Sequence, residues 1–190
     1  MMQPRPKKLL LGLQLSIVLL LLMFLCSCFN HSKISLLNEE QKISDLINQG
    51  TLALREMKLE EAEGAFSAAL EILPSSSAFD GLGCVAFLAG DLHKAEALFL
   101  EAHNRDKSYQ NVFGNLALLY EFQGELDLAS EMYQRILLVQ PQDFRARNNF
   151  AAYLYDNSLK EASKFELFKA LALAKHPTVL DNLKRVKSYE

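Results

Sequence analysis

LGCVAFLAGDLHKAEALFLEA, residues 82–102, is the stretch that decides how this chain folds. It carries two stripes at helical spacing, one on each side of Gly90. Leu82, Gly83 and Ala86 share a face of the first helix, and Ala95, Phe99 and Ala102 share a face of the second at i, i+4 and i+7. Gly90 stands where the first helix must stop, a position that favours left-handed backbone. The second stripe recurs 33 residues earlier as Ala62, Phe66 and Ala69, and 34 residues later as Ala129, Tyr133 and Ile136. The first recurs as Gln49, Gly50 and Ala53, and again as Leu116, Ala117 and Tyr120. A weaker fourth copy runs through Phe150, Ala151 and Leu154, then Ser163, Leu167 and Ala170. A period of this size means stacked helix–turn–helix units rather than one globular core.

The small residues keep one distance in every unit: Gly50 to Ala62, Gly83 to Ala95, Ala117 to Ala129, Ala151 to Ser163. Antiparallel helices joined by a short turn approach closely only where the facing side chains are small. An aromatic one turn further on fills the widening gap to the next unit. Pro74 and Pro141 close units one and three where a helix must end, and Gly124 marks the turn inside unit three as Gly90 does inside unit two. In unit four the turn position is read as Asn157, with Ser158 and Glu161 as a capping box for the helix that follows. Thr178 and Asp181 make a similar pattern ahead of a last, polar helix.

These residues resemble the tetratricopeptide repeat family over roughly residues 43–177. Lys107 departs from the proline the family prefers, and unit four is degenerate. The fold expected is an all-α, right-handed solenoid of about four helix–turn–helix repeats (near 43–75, 76–109, 110–143 and 144–177) with a capping helix at 178–187, together forming a domain over 38–190.

The amino terminus is a separate signal. Arg5, Lys7 and Lys8 precede Leu9 to Leu25, an apolar run broken only by Gly12, Gln14 and Ser16. A basic start followed by such a run is an export signal or a membrane anchor. Leu25-Cys26-Ser27-Cys28 then resembles the bacterial lipobox. That resemblance implies a signal peptide over 1–27, cleavage before Cys28, and lipid on the Cys28 sulfur and new amino group, with residues 28–37 as a lipidated tether. Two or more acyl chains anchor stably, each buried methylene contributing about 0.8 kcal/mol. The rival reading is an uncleaved transmembrane helix; the run is short for one, and its flank fits a cleavage site better. Phe29 rather than aspartate follows Cys28, which under the enterobacterial sorting rule points to the outer membrane, facing the periplasm.

Removing residues 1–27 would leave 17 Lys and Arg against 23 Asp and Glu. That acidic balance argues against nucleic acid, which needs clustered cations, and against a polybasic membrane patch, leaving the lipid as the anchor. Cys84 would be the one remaining free thiol, with no disulfide partner. His31, His93, His103 and His176 form no metal-binding spacing, and no glycine-rich loop or nucleophile elbow occurs. Neither catalytic residues, metal nor cofactor are expected, and the chain reads as a binding protein rather than an enzyme.

The first helices of stacked pairs line the concave groove. The family's groove positions fall here on Arg55 in unit one, Phe87 in unit two, Glu121 and Phe122 in unit three, and Arg145, Asn148 and Tyr155 in unit four. The lysines with which some members clamp a peptide carboxyl terminus are missing. Phe87, Phe122 and Tyr155 recur at nearly equal intervals and read either as an aromatic stripe for a partner or as packing between units; Arg145 and Tyr155 are expected to be exposed because little stacks after unit four. Short lipoproteins of this layout resemble the pilotin-type assembly lipoproteins of type IV and tight-adherence pili. This resemblance implies an envelope adaptor whose partners are secretin or pilus components. A second group with the same plan holds murein hydrolases or a periplasmic protease near the cell wall, and that alternative stays open.

Overall fold

The computed structural model describes residues 37–187. The signal segment, Cys28 and nearly all of the tether lie outside the described residues. The chain forms two units, 1–45 and 46–190. In the first, residues 37–45 are helical, and Gln41 Nε2 donates to Asp45 Oδ1 at 2.8 Å.

The second unit is all-helical among its described residues. Helix α1 covers 46–55, followed by α2 (Leu59–Ile72), α3 (Ser76–Leu88), α4 (Leu92–Arg105), α5 (Val112–Gln123), α6 (Leu126–Val139), α7 (Phe144–Asp156), α8 (Lys160–Leu173) and α9 (Pro177–Lys187). From α2 onward each helix packs on its neighbours in sequence, and α9 packs on both α7 and α8. This is the solenoid arrangement of about four helix pairs and a capping helix.

The even-numbered helices show why the period works. The i, i+4, i+7 stripe is buried in all four: Ala62-Phe66-Ala69, Ala95-Phe99-Ala102, Ala129-Tyr133-Ile136 and Ser163-Leu167-Ala170. The residues at the middle position, Phe66, Phe99, Tyr133 and Leu167, are at most 1% exposed. The small residues of the odd helices face them. A Cβ built on Gly83 would lie 2.5 Å from the Phe99 ring, and one on Gly81 2.4 Å from the Phe66 ring. Phe66 is also met by Gly50, at 2.7 Å, so one ring is held between glycines of α1 and α3. Ser163 interrupts the alanine series without cost because its hydroxyl donates to the Ala151 carbonyl at 2.7 Å.

The turn inside each pair is one motif used four times. The backbone N–H of Lys58, Asp91, Glu125 and Leu159 bonds the carbonyl five residues back, at Ala53, Ala86, Tyr120 and Leu154. The residue before each donor bonds the carbonyl three back: Met57 to Leu54, Gly90 to Phe87, Gly124 to Glu121, Ser158 to Tyr155. These are Schellman closures, which require left-handed backbone at that residue. Gly90 (φ 84°) and Gly124 (φ 79°) supply it freely, whereas Met57 (φ 58°) and Ser158 (φ 66°) adopt it as side-chain-bearing residues. The turn position in unit four is therefore Ser158, not Asn157, whose φ is −93° and whose amide donates to the Tyr153 carbonyl. Nor does Ser158 cap α8: the N-cap is Leu159, with no side-chain bond. Ser158→Gly is expected to stabilise the protein by about 0.5–1 kcal/mol, read as a higher urea midpoint at unchanged slope. An unchanged or lower midpoint would show that the left-handed backbone carries no strain here.

Asp143 caps α7 by accepting from the Arg145 and Ala146 amides, and Asp91 caps α4 by accepting from Lys94. Helix α9 starts at Pro177, one residue before the expected 178, so Thr178 lies inside its first turn and is not its cap. Proline suits a first helical turn, and His176 Nδ1 accepts the Thr178 N–H at 3.3 Å.

Candidate partner-binding groove

Helices α3, α5 and α7 carry a row of three open pockets linked by shared residues. The first, about 480 Å³, is lined by Phe87, Leu118, Glu121 and Phe122. The second, about 170 Å³, shares Leu118 and adds Asn111, Asn115, Arg145 and Asn149. The third, about 220 Å³, shares Arg145 and Asn149 and reaches Phe144, Asn148 and the start of α9. The row thus passes from the Phe87–Phe122 end to an end where the Arg145 guanidinium lies over the Phe144 ring.

At the aromatic end the Phe87 and Phe122 rings meet edge to face, with centroids 5.8 Å apart. Phe122 is 71% exposed, an unusual state for an aromatic on a packed helix. Phe87 is half-buried beneath it. Glu121 accepts a hydrogen bond from the Tyr133 hydroxyl at 2.9 Å, and burial holds its carboxyl above the ordinary range. The pocket floor therefore carries a carboxylate fixed from behind by a core residue.

Deeper in unit two, Asp80 is buried and accepts from Tyr109 Oη (2.9 Å) and Asn115 Nδ2 (2.8 Å). Desolvation raises its carboxyl despite both bonds. These contacts tie α3 to α5 and orient Asn115 in the groove. Asn115 also approaches Cys84 Sγ at 3.5 Å, and burial pushes the Cys84 thiol up to about 12, so it stays protonated at neutral pH.

The sequence-predicted positions separate into three groups. Phe87, Glu121 and Phe122 are brought together in the first pocket. Arg145 and Asn148 meet in the third; Arg145 is exposed and lies over the Phe144 ring, but Asn148 is buried and its Oδ1 accepts from Asn182 Nδ2 on α9. Arg55 is exposed on α1 and lines none of the three, and Tyr155 also stands apart. The expectation that Tyr155 is exposed is corrected: Arg185 of α9 lies over its ring at 4.8 Å, and the side chain is half-buried. The capping helix stacks on unit four as the first helix of a further repeat would. Asn115 and Asn149, absent from the sequence-based set, stand 34 residues apart and share the second pocket; their spacing equals the repeat period, which is the signal that locates them. Among the described residues no group of three His, Cys, Asp or Glu is placed to hold a metal ion.

Neither a family model nor a curated protein matches the sequence. Solved structures do. PilF of Pseudomonas aeruginosa superposes with a TM-score of 0.71 at 19% identity, covering 80% of this chain and 70% of that one. YrrB, described as a TPR protein with an unusual peptide-binding site, gives 0.55 at 20% identity, covering 76% and 75%. The fold is that of tetratricopeptide repeat proteins. An O-GlcNAc transferase of Thermobaculum terrenum also matches, with a TM-score of 0.63 at 20% identity, but the chain spans only 26% of it. At such identities the likeness concerns the fold and carries no activity.

Proposed function

We propose that this chain is a TPR adaptor whose concave groove binds a segment of another protein, tethered to a bacterial membrane through lipid on Cys28 and serving assembly of a type IV or tight-adherence pilus or its secretin. The observation that carries the binding function is the exposed Phe122 beside Phe87, Leu118 and the fixed Glu121 carboxylate. A large aromatic that contributes little to its own fold, over an open pocket, is the kind of anchor that dominates protein interfaces. The groove chemistry fits a segment that offers an apolar side chain to the Phe87–Phe122 end and an acceptor to Arg145. YrrB supports use of such a fold for peptides. The pilus reading is supported by the lipobox-like Leu25–Cys28, the short tether and the likeness to PilF. Among the described residues no helix is long and apolar enough to cross a membrane.

One experiment on tagged, full-length protein in cells tests both parts. Cys28→Ala is expected to lose the lipid mass increment and alter membrane retention; an unchanged mass removes the lipid anchor. Phe122→Ala is expected to weaken partner capture about tenfold or more while moving stability by less than about 0.5 kcal/mol, because the ring is mostly in solvent. Capture unchanged by Phe122→Ala contradicts the groove reading. Captured secretin or pilus components support the assembly role, and murein hydrolases or a protease replace it with a cell-wall scaffold.

A further inference from the structure

Charge is distributed very unevenly along the described chain. Residues 38–159 hold nine Lys and Arg against nineteen Asp and Glu, whereas 160–187 hold seven against three. The overall acidity that argues against a basic membrane patch therefore hides a locally cationic end made of α8 and α9. The same end displays aromatic surface. Phe165 and Phe168, three apart on one side of α8, are 58% and 51% exposed. Lys169 Nζ stands 3.9 Å from the Phe165 ring centroid, and Lys187 Nζ 5.5 Å from that of Phe168. Lys187 shares its stripe of α9 with Lys184 and Leu180, and Leu180 is 39% exposed. Lys169 and Lys184 also bond Glu166 and Asp181, at 3.0 Å each.

We propose that this α8–α9 face seats on an anionic lipid surface. The arrangement is that of an interfacial helix pair: rings that enter the headgroup boundary, with lysine stems along them whose ammonium groups reach anionic headgroups. Charge decides between occupants. A second copy presenting the same face would set cation against cation, and a neutral apolar partner would leave the net positive charge of this end, seven cations against three acids, uncompensated. The pockets along α3, α5 and α7 share none of these residues, although the third reaches Thr178 and Val179 at the start of α9. The inference does not depend on lipid at Cys28.

The chain has no tryptophan, so Phe168→Trp creates a single emission probe. The full chain carrying that substitution, reconstituted in vesicles of phosphatidylcholine alone or mixed with phosphatidylglycerol, is read by indole emission and by quenching with brominated lipid. Phe122→Trp in the groove is the control, and circular dichroism verifies that each variant folds. The expected result is a blue shift and quenching of the Phe168→Trp variant in the anionic vesicles only, weakened by salt, with the Phe122→Trp variant unaffected. Adding Lys184→Glu and Lys187→Glu should reduce the docked population by about 30-fold or more. Quenching equal in both variants or equal in neutral vesicles would overturn the proposal. So would a shift in the Phe168→Trp variant that follows protein concentration without lipid, which would mark the face as a contact between copies. A shift produced by polyglutamate but not by vesicles would overturn it in favour of an acidic protein partner.

Discussion

Phe66→Ala is expected to destabilise the amino-terminal end of the solenoid by about 3–5 kcal/mol, the range for removing a fully buried aromatic. The Phe66 ring is 1% exposed and is the largest member of the cluster it forms with Ala53, Ala62 and Val85. It fills the space that Gly50 and Gly81 leave open, so its removal leaves a cavity that only the partly buried Ile47, Leu54, Leu59 and Leu82 around it can shrink. Stability in a stacked array is a sum over units and their interfaces. The loss should therefore be local: amide exchange in α1 and α2 accelerates while α5 to α8 keep their protection. A companion variant tests the fit from the other side. Gly81→Ala places a methyl against the same ring and should cost about 1–3 kcal/mol by overpacking, part of which Phe66→Leu restores. Uniform loss of protection along the chain would contradict this account of the interface.

Arg147→Ala is expected to cost about 3 kcal/mol, the second large effect. Arg147 on α7 donates to Glu166 on α8, and the two side chains are only 14% and 11% exposed. Its Nε and Nη2 also donate to the Pro141 carbonyl, at 3.2 and 2.9 Å, fixing the loop that joins units three and four. Truncation leaves the Glu166 carboxylate with Lys169 as its remaining cation and frees the loop carbonyl. Most of the penalty comes from leaving a largely buried carboxylate with one half-exposed lysine in place of two cations, rather than from losing an intrinsically strong pair. Arg147→Met combined with Glu166→Leu should therefore recover most of the lost stability in urea denaturation. A double variant no better than Arg147→Ala would show that the ion pair itself, not the stranded carboxylate, is what holds α7 to α8.

The repeat was legible because burial selects residues by position. Ala62, Ala95, Ala129 and Ser163 occupy one geometric place, and so do Phe66, Phe99, Tyr133 and Leu167. Turn residues were legible only where composition and geometry agree. Gly90 and Gly124 announce left-handed backbone; Met57 and Ser158 do not, because their conformation is imposed by the Schellman hydrogen bonds around them. In the groove, Phe87, Glu121 and Phe122 fell on positions that the family resemblance implies, with Phe87 and Phe122 also marked by their interval. The cover over Asn148 and Tyr155 was not, because Asn182 and Arg185 reach them from α9 through tertiary packing that has no short-range signature. The cationic α8–α9 face was masked by counting charge over the whole chain.

Site-specific photocrosslinking in cells tests the central claim most directly, with the reactive residue placed in turn at Phe122, Leu118 and Arg145 and, as outward-facing controls, at Leu100 and Arg135. The groove account predicts discrete protein adducts from the first three positions and none from the controls. Adducts that form equally at Leu100 and Arg135, or fail at Phe122, would contradict it.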